Sequence, residues 1–320
     1  MAVVIDGQLF ITEQGESLAG SDLVEVQRGT SVFAAAGTVE NIQRPLVRSY
    51  IDRQAPAAGL TRYWTTTFTT ELRGTNGTPT ASNFPEVDQL LKAAGMTQSY
   101  SSDVHTYDFT ANPNATPYSV SARFEESMSG NYYVSSSTNY TFTISGNAEN
   151  LVTVAWTGTG EYNVPIANAT PGSLTSATAN AGPPMLAVDS YSLAGASSGF
   201  VIRDWSITGG LTVTPRLDAA DSNGYAWPAV ISRDAATSIS LTIEALSETT
   251  APMFTGWAAA NTADINLNLV SGSRGVALKL NEVSLGAPVL QQGTPNMYSL
   301  TGAASTDSAG STSSLSIEFT

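Results

Sequence analysis

One histidine and no cysteine leave this 320-residue chain few ways to do covalent chemistry. His105 alone cannot complete a zinc or iron site, which needs several His, Cys or carboxylate ligands, and it reads as a strand-surface residue. The lack of cysteine removes disulfides, thiol nucleophiles and Cys-ligated zinc. Gly195-Ala196-Ser197-Ser198-Gly199 fits the G-x-S-x-G pattern. That elbow needs a strand-to-helix turn and a downstream histidine, yet His105 lies upstream and a strand follows. A small-residue turn is expected there. The stretch from Asp218 to Gly224 has the oxygen-rich look of a calcium loop, but in register position 1 is Ala219 and the bidentate position is Val230. It reads as a polar hairpin turn. Glu125 and Glu126 are adjacent, and on a strand they point to opposite faces, so they cannot work as an acid/base pair. Asn76, Asn114, Asn139 and Asn168 begin N-x-S/T triplets, which are idle without secretion. No phosphate-binding glycine loop or dinucleotide fingerprint is present. The expectation is a protein with no cofactor, no metal and no enzymatic activity.

Composition points the same way. Lys and Arg number 13 against 27 Asp and Glu, a net charge of −14, with Lys92 and Lys279 the sole lysines. A protein that grips nucleic acid neutralises phosphates with basic side chains, so the balance argues against tight DNA or RNA binding. It does not argue against a surface past which a polyanion slides. Charged residues make up 12% of the chain, and small and hydroxylated residues dominate, as in an all-β protein with many turns. The N-terminus lacks a basic and an apolar signal region, and no apolar run approaches the ~18 residues of a membrane helix.

The elements follow from periodicity. In Tyr63–Arg73, Trp64, Thr66, Phe68, Thr70 and Leu72 share one face, and Thr65, Thr67, Thr69, Glu71 and Arg73 share the other. That predicts a strand with a packed side and a wet side. A Gly/Thr/Pro loop leads to a helix over 85–94, with Pro85 in the first turn and Glu86 and Asp88 near its positive end. Val87, Leu90, Leu91 and Ala94 form its apolar face, and Gly95 stands where a left-handed C-cap is wanted. Strands are predicted at Val3–Ile11, Leu23–Gln27, Val104–Thr110, Tyr118–Phe124, Asn131–Val134, Asn139–Ser145 and Leu151–Gly158. Further strands are predicted at Phe200–Ile207, Leu211–Leu217, Ala229–Ser232, Thr237–Ala245, Val276–Leu280, Asn296–Leu300 and Ser314–Phe319. Residues 31–62 alternate poorly and carry Arg44, Arg48, Arg53 and Arg62. They read as a surface loop, or as an arm that docks on an acidic neighbour.

Strand, loop and Pro-started helix recur at Thr237–Ala245 and about 252–260, where Pro252 precedes Met253, Phe254, Trp257 and Ala258 at helical spacing. Two such units suggest an internal duplication. The units would be 1–164 and 186–320, joined by the low-complexity stretch 165–185.

The stretch from Trp64 to Met96 resembles the tail tube (major tail) proteins of long-tailed bacteriophages. The matching features are Glu71-Leu72, the loop from Gly74 to Pro79, Pro85, and Leu90-Leu91-Lys92-Ala93-Ala94-Gly95. Asp204-Trp205-Ser206-Ile207 to Arg216-Leu217, followed by Arg233-Asp234, resembles that family's second half. The resemblance implies a mainly β chain with a β-sandwich/barrel tail-tube fold, flanking short helices and a duplicated unit. It also implies a structural virion protein whose inner sheets join across subunits into a negatively lined conduit for the genome. DNA would pass without specific binding, and carboxylates facing the lumen would repel phosphate. Self-association into stacked rings is implied, as trimers with pseudo-sixfold symmetry if the duplication holds, or as hexamers. The remaining implied partners are other tail proteins at the tube ends, with no membrane. The location is the virion tail, assembled in the host cytoplasm. Assembly candidates are Trp64, Phe68, Glu71, Leu72, Leu90 and Leu91, with Arg44, Arg48 and Arg53 on the arm. The arms at 1–20 and 35–60 are candidates for ring-to-ring contacts.

Two other classes remain open at this point. A carbohydrate- or receptor-binding β-sandwich would show exposed aromatics beside carboxylates, and Tyr132, Tyr133 and Tyr140 are the best such cluster. A hydrolase built from distant carboxylates is the third.

Overall fold

Apolar residues recurring at every second position bury one face of a strand, and such strands must pair to satisfy their backbones. The computed structural model describes residues 7–16, 22–27, 32–36, 39–43, 54–60, 62–109, 118–126, 131–147, 149–167, 181–193, 200–218, 225–232, 237–244, 257–259, 262–292, 295–306 and 313–320. The chain is mainly β. It begins with β1 (Gly7–Glu13), β2 (Leu23–Val24), β3 (Phe33–Ala36), β4 (Val39–Gln43), β5 (Gln54–Leu60) and β6 (Tyr63–Glu71). Helix α1 (Asp88–Ala93) precedes β7 (Thr97–Ser101), β8 (Val104–Asp108), β9 (Val120–Glu126), β10 (Asn131–Asn147), β11 (Thr153–Tyr162) and β12 (Ile166–Ala167). Then come β13 (Ala187–Leu193), β14 (Ile202–Gly210), β15 (Thr212–Leu217), β16 (Tyr225–Ser232) and β17 (Ser238–Glu244). The last are β18 (Thr262–Ser271), β19 (Arg274–Leu285), β20 (Val289–Gln291), β21 (Met297–Ala303) and β22 (Leu315–Phe319).

All described pairings are antiparallel. A central run reads β6–β11–β10–β14–β17–β21–β19–β18. Its outer strands are β3, on β6, and β13, on β18. Two branches of three strands leave it, β9–β1–β2 from the first half of β10 and β22–β8–β7 from the first half of β19, and the short β12 and β20 pair singly with β10 and β21. Among the described residues no series of pairings returns to its start, so the sheet is open. Two hairpins, β4–β5 and β15–β16, are separate two-stranded sheets.

The two branch points share a device. Along one edge of β10, residues Tyr132–Thr138 pair with β9 and Thr141–Asn147 with β14, while the other edge holds β12 at Asn131–Tyr132 and β11 along Ser135–Ser145. The change of neighbour falls at a bulge where Ser137 has φ 49°. On β19, Val276–Leu280 pair with β22 and Ser284–Leu285 with β21, while β18 keeps the other edge. Glu282, between them, also has φ 49°. A left-handed residue inside a strand is uncommon, and it bends the strand so that each half meets a different partner. The predicted strands Asn131–Val134 and Asn139–Ser145 are therefore one strand, and the Ser/Thr tract between them is the bulge.

The central strands and both branches contribute to a single buried cluster, which includes Leu9, Phe68, Trp156, Ile207, Leu267 and Phe319. Helix α1 lies in it, with Leu90 and Leu91 buried. The helix starts at Asp88, three residues later than predicted, because a turn from Pro85 O to Asp88 N–H precedes it. Its C-terminus is as predicted: Gly95 has φ 92°, which glycine tolerates, and the Met96 N–H returns to Leu91 O. Residues 31–62 differ from the expected irregular loop, since they hold β3 and the β4–β5 hairpin. Within 165–185, Pro183–Met185 is bonded into the sheet, with Met185 bridging Leu72 O and the Val152 N–H. Of the helix expected over about 252–260, Trp257 and Ala258 are helical, and the rest apart from Ala259 lies outside the described residues.

Candidate functional site

β6 is built as its alternation predicts. Trp64, Thr66, Phe68, Thr70 and the following Leu72 are buried, and on the other face only Thr67 is fully exposed. Two threonines on an apolar face need a reason, and β11 and β10 supply it. The Trp156 indole N–H donates to Thr70 Oγ1 at 3.0 Å, and Thr66 Oγ1 donates to the Tyr140 hydroxyl at 3.2 Å. Burial holds the Tyr140 phenol well above its ordinary pKa, so it stays a neutral hydrogen-bonding group. Gly158 leaves room for that ring, because a Cβ there would sit 2.3 Å from Tyr140 Cε1.

The opposite face of the central run is a continuous surface. Register places Thr69, Ala155, Thr143, Thr208, Ser238, Ala303, Ser284 and Thr262 side by side across all eight strands. All eight are at least partly exposed, and none is charged. A second row runs Glu71, Thr153, Ser145, Ser206, Ser240, Thr301, and a third runs Thr67, Thr157, Thr141, Gly210. Hydroxyls link neighbours: Thr143 and Thr208 at 3.0 Å, Ser145 and Thr153 at 3.3 Å. Cross-strand Thr and Ser pairs of this kind add modestly to sheet stability. Carboxylates flank the rows on both sides: Glu71, Asp204 and Glu244 toward one margin, with Arg203 on the β14 bulge there, and Asp264 and Glu282 beyond Thr262. Glu71 is paired with Arg73 at 2.9 Å. No cation occupies the three rows.

The sequence-derived assembly residues divide between the two sides of the structure. Trp64, Phe68, Leu72, Leu90 and Leu91 are core, Glu71 is on the margin of the hydroxyl face, and Arg44, Arg48 and Arg53 lie outside the described residues. The other candidates for chemistry resolve as follows. His105 is buried rather than on the surface, with Nε2 3.0 Å from Asn83 O, Nδ1 3.0 Å from Gln98 Nε2, and Phe84 and Tyr100 against its ring. Asn139 is also buried, and its amide donates to Ala93 O, at the end of α1, and to Tyr118 O. Glu125 is buried against Arg123 at 2.7 Å, while Glu126 accepts from the Tyr133 hydroxyl. Residues 195–199 lie outside the described residues, as does 218–224 beyond Asp218. Among the described residues no group of three or more His, Cys, Asp or Glu side chains could hold a metal. No described helix is long and apolar enough to cross a membrane.

No family model matches this chain, and no curated protein matches it.

Proposed function

We propose that the chain is a structural subunit that closes with copies of itself into a ring, and that stacked rings make a tail tube of the bacteriophage kind. The observation that carries this reading is the uncharged hydroxyl row across eight register-matched strands. With ~4.8 Å between strands and ~40° tilt, eight strands close at roughly 16 Å, a bore that side chains fill. Three copies supply 24 strands from the central run alone, three times eight, which close at roughly 48 Å and leave a channel a duplex could cross, and β3 and β13 at its ends only widen the ring. The hydroxyl face would line that channel, where rows without cations let a polyanion pass. The core face would form the inside of a sandwich with the branch strands. Joining copies through the outer strands β3 and β13 would also remove the exposed edges.

The strand count favours three chains, since three runs of eight close at a width a duplex could cross. About β17, β14 matches β21, β10 matches β19 and β11 matches β18, and each long strand carries its branch and its left-handed bulge. That match reverses the strand order from one half to the other, so it is not the repeat that duplication would leave. The carbohydrate-binding alternative has less to stand on. Tyr140 is buried, the face of Tyr132 is covered by Arg123 at 3.9 Å, and Tyr133 packs among Phe33, Trp64 and Phe124. Cryo-electron microscopy of the concentrated protein tests the reading. Hollow tubes with three chains per ring and Thr143 and Thr208 facing the bore are expected. A persistent monomer retained on a glycan column would overturn it.

A further inference from the structure

We infer that Glu25, Glu71, Arg73 and Glu86 form a proton-sensitive clasp that holds the segment after β2 across the end of β6 and the approach to α1. Arg73 Nη2 lies 2.8 Å from Glu25 Oε2 and 2.9 Å from Glu71 Oε2, with its Nε 3.2 Å from the same Glu71 oxygen. A third carboxylate, Glu86, accepts the backbone N–H of Glu25. Two acids thus share one guanidinium, and a third holds the backbone of one of them. The backbone joins in, since the Gln27 N–H donates to Thr69 O at 2.8 Å. Val24 is buried and faces Leu9 of β1. Beyond this segment the chain reaches β3, the outermost strand at that end of the central run.

Glu86 is the group that titrates. Burial, more than any other cause, raises its pKa to about 7; the Glu25 N–H and Arg73 act against the rise, and the Glu25 and Glu71 carboxylates add to it. Among the described residues, Arg73, Glu25 and Glu71 are the charged groups that act on it. Asp88, two residues on, is held by Lys92 at 2.8 Å and Tyr107 at 2.7 Å. When the segment lifts, Glu86 meets water and returns to its ordinary 4.5. The closed clasp therefore keeps a proton that the open one releases. Closing is strongest below about 4.5, weakens as pH rises to about 7, and is level above. If β3 is where the next copy adds, as the ring reading has it, the clasp tunes that edge with pH. The clasp itself does not depend on the ring.

Hydrogen–deuterium exchange of peptides covering 22–27 in the unassembled full chain, normalised for intrinsic exchange, tests this from pH 4.5 to 8. Protection in the wild type should fall by up to about tenfold per pH unit between about 4.5 and 7, then level off. Glu86→Gln keeps an acceptor for the Glu25 N–H and removes the proton, so its protection should not change with pH. Glu25→Gln keeps the backbone donor and removes one repulsive carboxylate, so its plateau should begin at lower pH. A wild-type profile without pH dependence, or the same fall in Glu86→Gln, would overturn the clasp. Because unassembled chain is measured, absence of tubes leaves the result standing, and tubes with a flat profile would sink the clasp alone.

Discussion

Trp156 and Thr70 face each other across diagonal positions of β11 and β6, and the indole N–H donates to the threonine hydroxyl at 3.0 Å inside the core. Neither group reaches water. Thr70→Val keeps the shape of the side chain and strands the N–H, an unmet buried donor that costs about 1–3 kcal/mol. Thr70→Ser keeps the acceptor and loses one methyl, for roughly 1 kcal/mol. Denaturant unfolding should therefore rank Thr70→Val as the less stable of the two. Equal or reversed stabilities would show that the hydroxyl is not what the indole needs.

Much of this unit is readable from the chain, because its forces are local. Two-residue alternation sets the faces of β6, and Gly95 marks the end of α1. The strand β10 is not readable in the same way. Its Ser135–Thr138 tract has the composition of a turn, and only pairing with β9 on one side of the bulge and β14 on the other shows a single strand. His105 misleads for a related reason: on composition it is a polar strand residue, and its burial depends on Asn83, Phe84 and Tyr100 from elsewhere in the chain. The hydroxyl row is the least legible feature. Thr69, Thr143, Thr208 and Ser238 are spread over 170 positions, 238 minus 68, and become neighbours only through register.

Helix α1 anchors the core through Leu90 and Leu91, both buried. Leu90→Ala should cost about 2–5 kcal/mol, through lost transfer energy and the cavity left behind. The double change Leu90→Asp, Leu91→Asp should leave no folded chain and hence no assembly. Thr67→Ser, on the exposed face of β6, should stay within about 0.5 kcal/mol of wild type. Thermal unfolding orders the three, and a folded double-Asp variant would show that the helix is not an anchor.

Glu86 also predicts an unusual pH dependence of global stability. A carboxyl raised from 4.5 to about 7 in the folded chain gives up stability as pH climbs through that window. The loss is at most ~3.4 kcal/mol, at 1.36 kcal/mol per pKa unit, and partial solvation lowers it. Glu86→Gln should melt above the wild type at pH 8 and show little advantage at pH 4.5. An advantage that does not shrink on acidification would assign the effect to packing rather than to the proton.

The hydroxyl face makes the last prediction, because its chemistry is defined by what it lacks. Thr69, Thr143 and Thr208 are adjacent in register or one strand apart, with side chains that reach solvent. Replacing all three by Arg places three cations along one row without touching the core, so folding should survive. Three phosphate contacts would give DNA binding a salt dependence with a slope near −0.9 per contact, about −2.7 in log–log form. Wild-type chain should pass through a DNA column at low salt, and the triple variant should be retained and then eluted by salt. If the ring reading holds, tubes of the variant would also trap duplex that the wild type lets through. Retention of the wild type itself at low salt would mean that this surface grips phosphate already, and a conduit is then the wrong use for it.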